Sequence, residues 1–131
     1  MTASWGFMGE IWGNDTAVAL IRPQRYTMEF IDNNDYFTVS FYGDRKDIHK
    51  ICGSKSGREV DKTKECGLSP VMNEKYVYFK EARLVLVVKK QFVQPMREES
   101  FIDKAVLPRY YPEKDYHNMI IGKIEKVLVR E

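Results

Sequence analysis

Cysteine is scarce in this chain: Cys52 and Cys66 are the two among 131 residues. They match no paired zinc spacing, and a chain of this length can bury a core without covalent staples, so both read as reduced thiols. Long apolar runs are missing as well. The longest, Ala17 to Ile21 and Leu84 to Val88, fall far short of the ~18 residues a membrane-spanning helix needs. An excess of one charge is also lacking. Lys and Arg number 21 against 19 Asp and Glu, a net of +2, which provides no global field for nucleic acid or an anionic membrane surface. Neither Gly-x-Gly-x-x-Gly nor Gly-x-x-x-x-Gly-Lys-Ser/Thr occurs, so neither a dinucleotide-binding fold nor a P-loop is expected. No basic-then-apolar leader precedes Thr2, and the cytoplasm is the expected compartment. Repeats of solenoid length and low-complexity tracts are absent, so residues 1–131 read as one domain.

The residues that are present favour strands. Thr16 to Thr27 organises the rest: Ala17 to Ile21 is an apolar run too short for an independent helix and reads as an interior strand. Pro23 ends the ladder, and Thr27 is the expected N-cap of a helix over Met28 to Asn33. Arg22 and Arg25 then fall where a strand stops and a helix presents free N–H groups, a place suited to an anion, although two solvated surface charges would look the same. Before this stretch, Trp5, Phe7 and Trp12 alternate with Gly6, Gly9 and Gly13. Such a segment suits close backbone approach to a flat group and equally describes a twisted edge strand.

Further along, Tyr36 to Tyr42 alternates with period two and reads as a strand. Asp44 is the expected cap of a second helix, with Asp47 as its capping-box partner and Gly53 just past its end. The loop Ser54-Lys55-Ser56-Gly57-Arg58 follows. Two hydroxyls and two cations in so short a span can wrap a phosphate, or the cations can simply complement the negative end of the helix dipole. A short helix over Val60 to Cys66, a turn or hairpin tip over Asn73 to Tyr78 and a long strand over Ala82 to Phe92 come next. Gln94 to Pro112 is a polar excursion with Phe101, Ile102, Val106 and Leu107 as expected anchors. His117 to Val129 is the last strand. Short helices grouped among dominant strands point to a mainly β fold, a barrel with helical decoration.

Four segments together resemble the flavin reductase-like proteins with an FMN-binding split barrel, the flavoredoxin group in particular. They are Met-Thr-Ala-Ser-Trp-Gly at Met1 to Gly6, Ile-Arg-Pro-Gln-Arg-Tyr-Thr at Ile21 to Thr27, Cys-Gly-Ser-Lys-Ser-Gly-Arg at Cys52 to Arg58, and Tyr-His-Asn-Met-Ile-Ile-Gly at Tyr116 to Gly122. The resemblance implies a split β-barrel, a homodimer and one non-covalently bound FMN per subunit. It also implies that the family's first barrel strand is missing here, because members carry further residues ahead of the segment with which this chain begins.

Carried over by position, the resemblance puts Thr2, Ala3, Ser4 and Trp5 beside the isoalloxazine ring. Arg22, Arg25 and Tyr26 would face the ribityl chain and phosphate, and Ser54, Lys55, Ser56 and Gly57 would close around the phosphate. It implies a flavin reductase or electron carrier supplied by NADH, NADPH or a redox protein. The alternative is a non-catalytic FMN-binding homologue or a dimeric structural protein. No metal and no catalytic acid or base are expected, since the flavin itself carries the redox chemistry. Two residues stay open at this level. His117 reads as a flavin or dimer-seam contact or as an ordinary packed residue, and Cys52 as a redox partner or a small buried hydrophobe.

Overall fold

The computed structural model describes all residues from Met1 to Glu131. Seven strands and four short helices follow in the order β1 (Gly6–Ile11), β2 (Asn14–Ile21), α1 (Tyr26–Asn33), β3 (Tyr36–Phe41), α2 (Lys46–Ser54), α3 (Lys62–Glu65), β4 (Pro70–Met72), β5 (Val77–Phe79), β6 (Leu84–Pro95), α4 (Val106–Tyr110) and β7 (Asn118–Val129). Five strands form one antiparallel sheet in the order β1-β2-β7-β6-β3, and β4-β5 form a separate hairpin. The sheet keeps β1 and β3 as free edges. The curved sheet is therefore not closed, as a split barrel requires, and the mainly β expectation holds.

The β1–β2 hairpin turns on Trp12 and Gly13, with φ of 54° and 68°. Positive φ at both central positions is what a two-residue hairpin of matching twist demands. Long β6 and β7 pair along their whole length, with register shifts at Val87/Val88 and Lys90/Phe92. These irregularities bend the pair and let the sheet curl.

Three small apolar clusters replace one large core. Ile21, Met28, Ile31 and Ile120 seat α1 on the sheet. Ala17, Leu86 and Val88 pack together with Phe37 and Val39 across the sheet. Ile48, Cys66 and Leu68 tie α2 and α3 together beside Tyr42, Ile51, Cys52 and Phe79.

Several local expectations are corrected. Helix α1 starts at Tyr26, two residues earlier than expected, with Arg25 rather than Thr27 as N-cap and no side-chain cap bond. Helix α2 is capped by Arg45 rather than Asp44. Asp47 turns instead to the Arg45 guanidinium, at 2.9 and 2.7 Å, because a two-point charged pair outcompetes a single capping bond. Gly53 and Ser54 both lie within α2, whose C-cap is Lys55, so the expected Ser54–Arg58 loop begins one residue later. The third helix is shorter than Val60 to Cys66, and Asp61 caps it through bonds from the Thr63 and Lys64 amides. Ile102 is 98% exposed and anchors nothing, whereas Tyr111 is buried. The anchor of the polar excursion is thus an aromatic group packed against Phe101 and Tyr116.

Candidate functional site

Residues 1–5 run extended between β2 and α2. The Trp5 carbonyl accepts from the Leu20 amide at 3.2 Å, and the Thr2 amide donates to the Cys52 carbonyl at 3.3 Å. The Thr2 hydroxyl donates to the His49 carbonyl at 2.8 Å. Both ends of the segment are therefore fixed by main-chain bonds, one to the sheet and one to the last turns of α2. Gly6 continues the strand only because it has no side chain: a Cβ there would stand 2.3 Å from the Val18 carbonyl oxygen.

A hollow of about 220 Å³ opens beside this segment, lined by Thr2, Ala3, Ser4, Trp5, Arg22, Arg25 and His117 among others. A larger apolar groove of about 350 Å³ adjoins it along Thr2 and Ala3 and runs to β3. Six of the eleven residues expected at a cofactor site, Thr2 to Trp5 with Arg22 and Arg25, thus surround one hollow.

The remaining five, Tyr26, Ser54, Lys55, Ser56 and Gly57, are not in its lining, and two of them touch each other. Position 57 packs on Tyr26, where a Cβ would meet the ring at 3.1 Å, and the Arg58 guanidinium lies 4.7 Å from the same ring centroid. Gly53 stands against Thr2 in the same way, its would-be Cβ 3.5 Å from the Thr2 side chain. The end of α2 with the 55–58 loop thus touches residues 1–5 through Gly53 and the start of α1 through Gly57.

The charges in these segments are not equally available. Arg22 donates to the Tyr110 carbonyl at 2.8 Å, pairs with Asp115 at 2.8 Å and lies 5.0 Å from the Tyr111 ring centroid. It is a clamp on the 110–117 segment rather than a free cation. The Lys55 ammonium pairs with Glu65 at 2.6 Å, and Arg58 with Glu29 at 2.6 Å. Arg25 enters neither an ion pair nor a side-chain hydrogen bond, and it stands at the N-terminus of α1, which no side chain caps. The Ser54 hydroxyl donates back to the Lys50 carbonyl at 2.7 Å, while Ser56 Oγ accepts from the Arg58 amide at 3.2 Å. The Ser56 O–H donates to no protein group.

Sequence reasoning left His117 open, and the fold makes it part of the hollow's wall. It is buried, Trp5 packs on it at 4.8 Å between ring centroids, and its Nδ1 lies 2.6 Å from the Tyr111 hydroxyl. Burial, followed by the positive field of Arg22, lowers its pKa, so the imidazole is neutral at pH 7. Burial raises that of Tyr111, which stays a phenol. The phenol also contacts Met96 Sδ at 3.9 Å, and its hydrogen bond with Nδ1 holds the His117 ring in place. Asp115 was also missed in the sequence. Its pKa is lowered, first by the hydrogen bond from Gln24 and also by Arg22. A lone aspartate 93 positions from its arginine carries no local signal.

No family model matches the chain, and no curated protein does. Solved structures do. A flavoredoxin from Methanosarcina acetivorans superposes with a TM-score of 0.75 at 19% identity, covering 98% of this chain and 60% of its own. The FMN-binding protein from Thermus thermophilus gives 0.70 at 23% identity, covering 98% and 62%. A protein from Shewanella frigidimarina described as a flavin reductase with a split barrel domain gives 0.73 at 18%, covering 98% and 58%. At these identities the likeness establishes the fold, a split barrel. The chain extends over about three-fifths of each neighbour's length.

Proposed function

We propose that this chain binds FMN and serves as a flavin-dependent oxidoreductase, either a flavin reductase or an electron carrier. The observation that carries the reading is the adjacency of three segments: the extended residues 1–5, the Arg22–Tyr26 turn at the start of α1, and the Ser54–Gly57 loop. Structural neighbours include a flavoredoxin and an FMN-binding protein, which supports the same cofactor.

The residues suit the group. A phosphate needs unpaired donors: Arg25 and the uncapped N-terminus of α1 would offer them, joined by the Ser56 hydroxyl and by Lys55, whose ion pair with Glu65 is half-exposed. The main chain of Thr2 to Trp5 would offer donors and acceptors to the polar edge of a flat ring, with Trp5 and His117 as an aromatic wall. Bound FMN would supply one- and two-electron redox chemistry. The protein's part is to bind and orient it and to leave one face open to a nicotinamide or a redox protein.

In this reading the chain acts as a homodimer. Phe7 and Met8 on β1 and Trp12 in the turn that follows it are each more than half exposed, an apolar edge of the kind that subunit contacts cover. Two free thiols suit the cytoplasm; no helix is long and apolar enough to cross a membrane.

The test is a titration with FMN followed by visible absorbance and flavin fluorescence, then addition of NADH and NADPH under anaerobic conditions. Saturable quenching with a perturbed flavin spectrum is expected. Protein that leaves the free-flavin spectrum and fluorescence unchanged would end the reading. Arg25→Ala removes one charge-assisted contact of ~1.5–3 kcal/mol, which corresponds to roughly a 10- to 150-fold loss of affinity.

A further inference from the structure

The two cysteines are 14 positions apart on different elements, Cys52 in the last turns of α2 and Cys66 at the C-cap of α3. The fold brings their sulfurs to 3.9 Å in one apolar cluster with Ile48 and Leu68. A disulfide needs about 2.05 Å, so a shift of about 2 Å shared by two side chains closes it. Their access differs. Cys66 is 3% exposed, while Cys52 is half-buried and lines the apolar groove together with Thr2, His49 and Lys62.

We infer that Cys52 and Cys66 form a dithiol redox centre that exchanges with small-molecule disulfides, Cys52 attacking first and Cys66 resolving. In the first step the Cys52 thiolate, its proton given to solvent, bonds to one sulfur of R–S–S–R and expels R–S⁻, which takes up a proton. In the second, Cys66 loses its proton and attacks Cys52 Sγ, and the second R–S⁻ leaves. The net change is two protein thiols and R–S–S–R to one protein disulfide and two R–SH, two electrons passing to the small disulfide.

The order of attack follows from the surroundings. Burial, and next the neighbouring Cys52 sulfur, push the Cys66 thiol up to about 11, so it is not the group that meets an incoming disulfide. Lys62 lines the same groove, its ammonium donating to the Cys52 carbonyl at 3.0 Å, a cation suited to a carboxylate-bearing disulfide such as oxidised glutathione. The bond would join α2 to α3 and close a ring containing the whole Ser54–Arg58 loop.

The test is incubation of the reduced full chain with oxidised glutathione, followed by intact mass and peptide mapping under denaturing, thiol-blocked conditions. Wild type should lose two hydrogens, show a Cys52–Cys66 cross-linked peptide within one chain, and recover both thiols on reduction. Cys66→Ser, or Cys66→Ala if the serine variant does not fold, should stop at a single glutathione adduct on Cys52. Cys52→Ser should react at least about tenfold more slowly than Cys66→Ser, as a buried neutral thiol does. Stable adducts on wild type without the cross-link, a bridge only between chains, or Cys66 reacting as fast as Cys52 would overturn the inference.

Discussion

Arg22 is the residue on which the geometry of the hollow turns, and its removal has a magnitude that can be worked out. Its guanidinium reaches Asp115 at 2.8 Å, the Tyr110 carbonyl at 2.8 Å and the Asp115 carbonyl at 3.2 Å, with the Tyr111 ring centroid 5.0 Å away. The paired side chains are 21% and 22% exposed, so solvent screens them only in part. A charged hydrogen bond contributes ~1.5–3 kcal/mol, the contacts share one group and do not add, and the cation–π contact contributes ~0.5–1 kcal/mol. Asp115 keeps its bond from Gln24 at 2.6 Å, which limits the cost of leaving its charge unpaired.

Arg22→Ala should therefore destabilise the fold by about 3 kcal/mol, read by urea unfolding with an unchanged m-value. At this chain length that is a fall in Tm of roughly 10 °C. Arg22→Lys keeps the charge without the fork and should lose about half as much. Because Arg22 is one of the causes that lower the His117 pKa, the same Arg22→Ala protein should show His117 titrating at higher pH by NMR. A stability change under about 0.5 kcal/mol, together with an unmoved His117 titration, would refute the clamp.

His117 also sets a pH dependence. Its folded pKa lies below the ordinary value of 6.5, so between the two values the unfolded chain binds the extra proton and stability falls as pH drops below about 6.5. Urea midpoints across pH 5 to 8 check the sign, and His117→Asn should flatten the curve. Gly6→Ala should yield little folded protein, since its Cβ would meet the Val18 carbonyl oxygen at 2.3 Å; thermal scans of whatever is soluble measure the loss. Glu65→Gln frees Lys55 from a half-exposed pair at a cost of only ~0–1 kcal/mol. On the proposed function it should leave Tm nearly unchanged and tighten FMN binding a few-fold by fluorescence titration. Ile120→Ala, at a fully buried position, should cost ~2–5 kcal/mol in the same unfolding assay.

The strands were legible because their signals are local: the apolar run Ala17 to Ile21, the alternation of Tyr36 to Tyr42 and the length of the final strand all correspond to β-structure. The edge-strand reading of the first glycine- and tryptophan-rich segment is matched by β1, which pairs only with β2. The helix starts were less legible. Aspartate and threonine near the right places promised caps, yet Asp47 found a guanidinium and Thr27 fell inside α1, because capping competes with whatever partner the fold supplies nearby.

The sequence by itself determined which residue types could gather: two arginines at a strand end, a serine-glycine loop with cations, and two thiols. Which of them are free to act was decided only in three dimensions. Arg22 is bound across 93 positions to Asp115 and Lys55 is turned to Glu65, while Arg25 remains unpaired and Cys66 lies beside Cys52. The physical reason is that periodicity and turn chemistry act over a few residues, whereas the availability of a charge or a thiol depends on groups that sheet pairing brings from the far end of the chain.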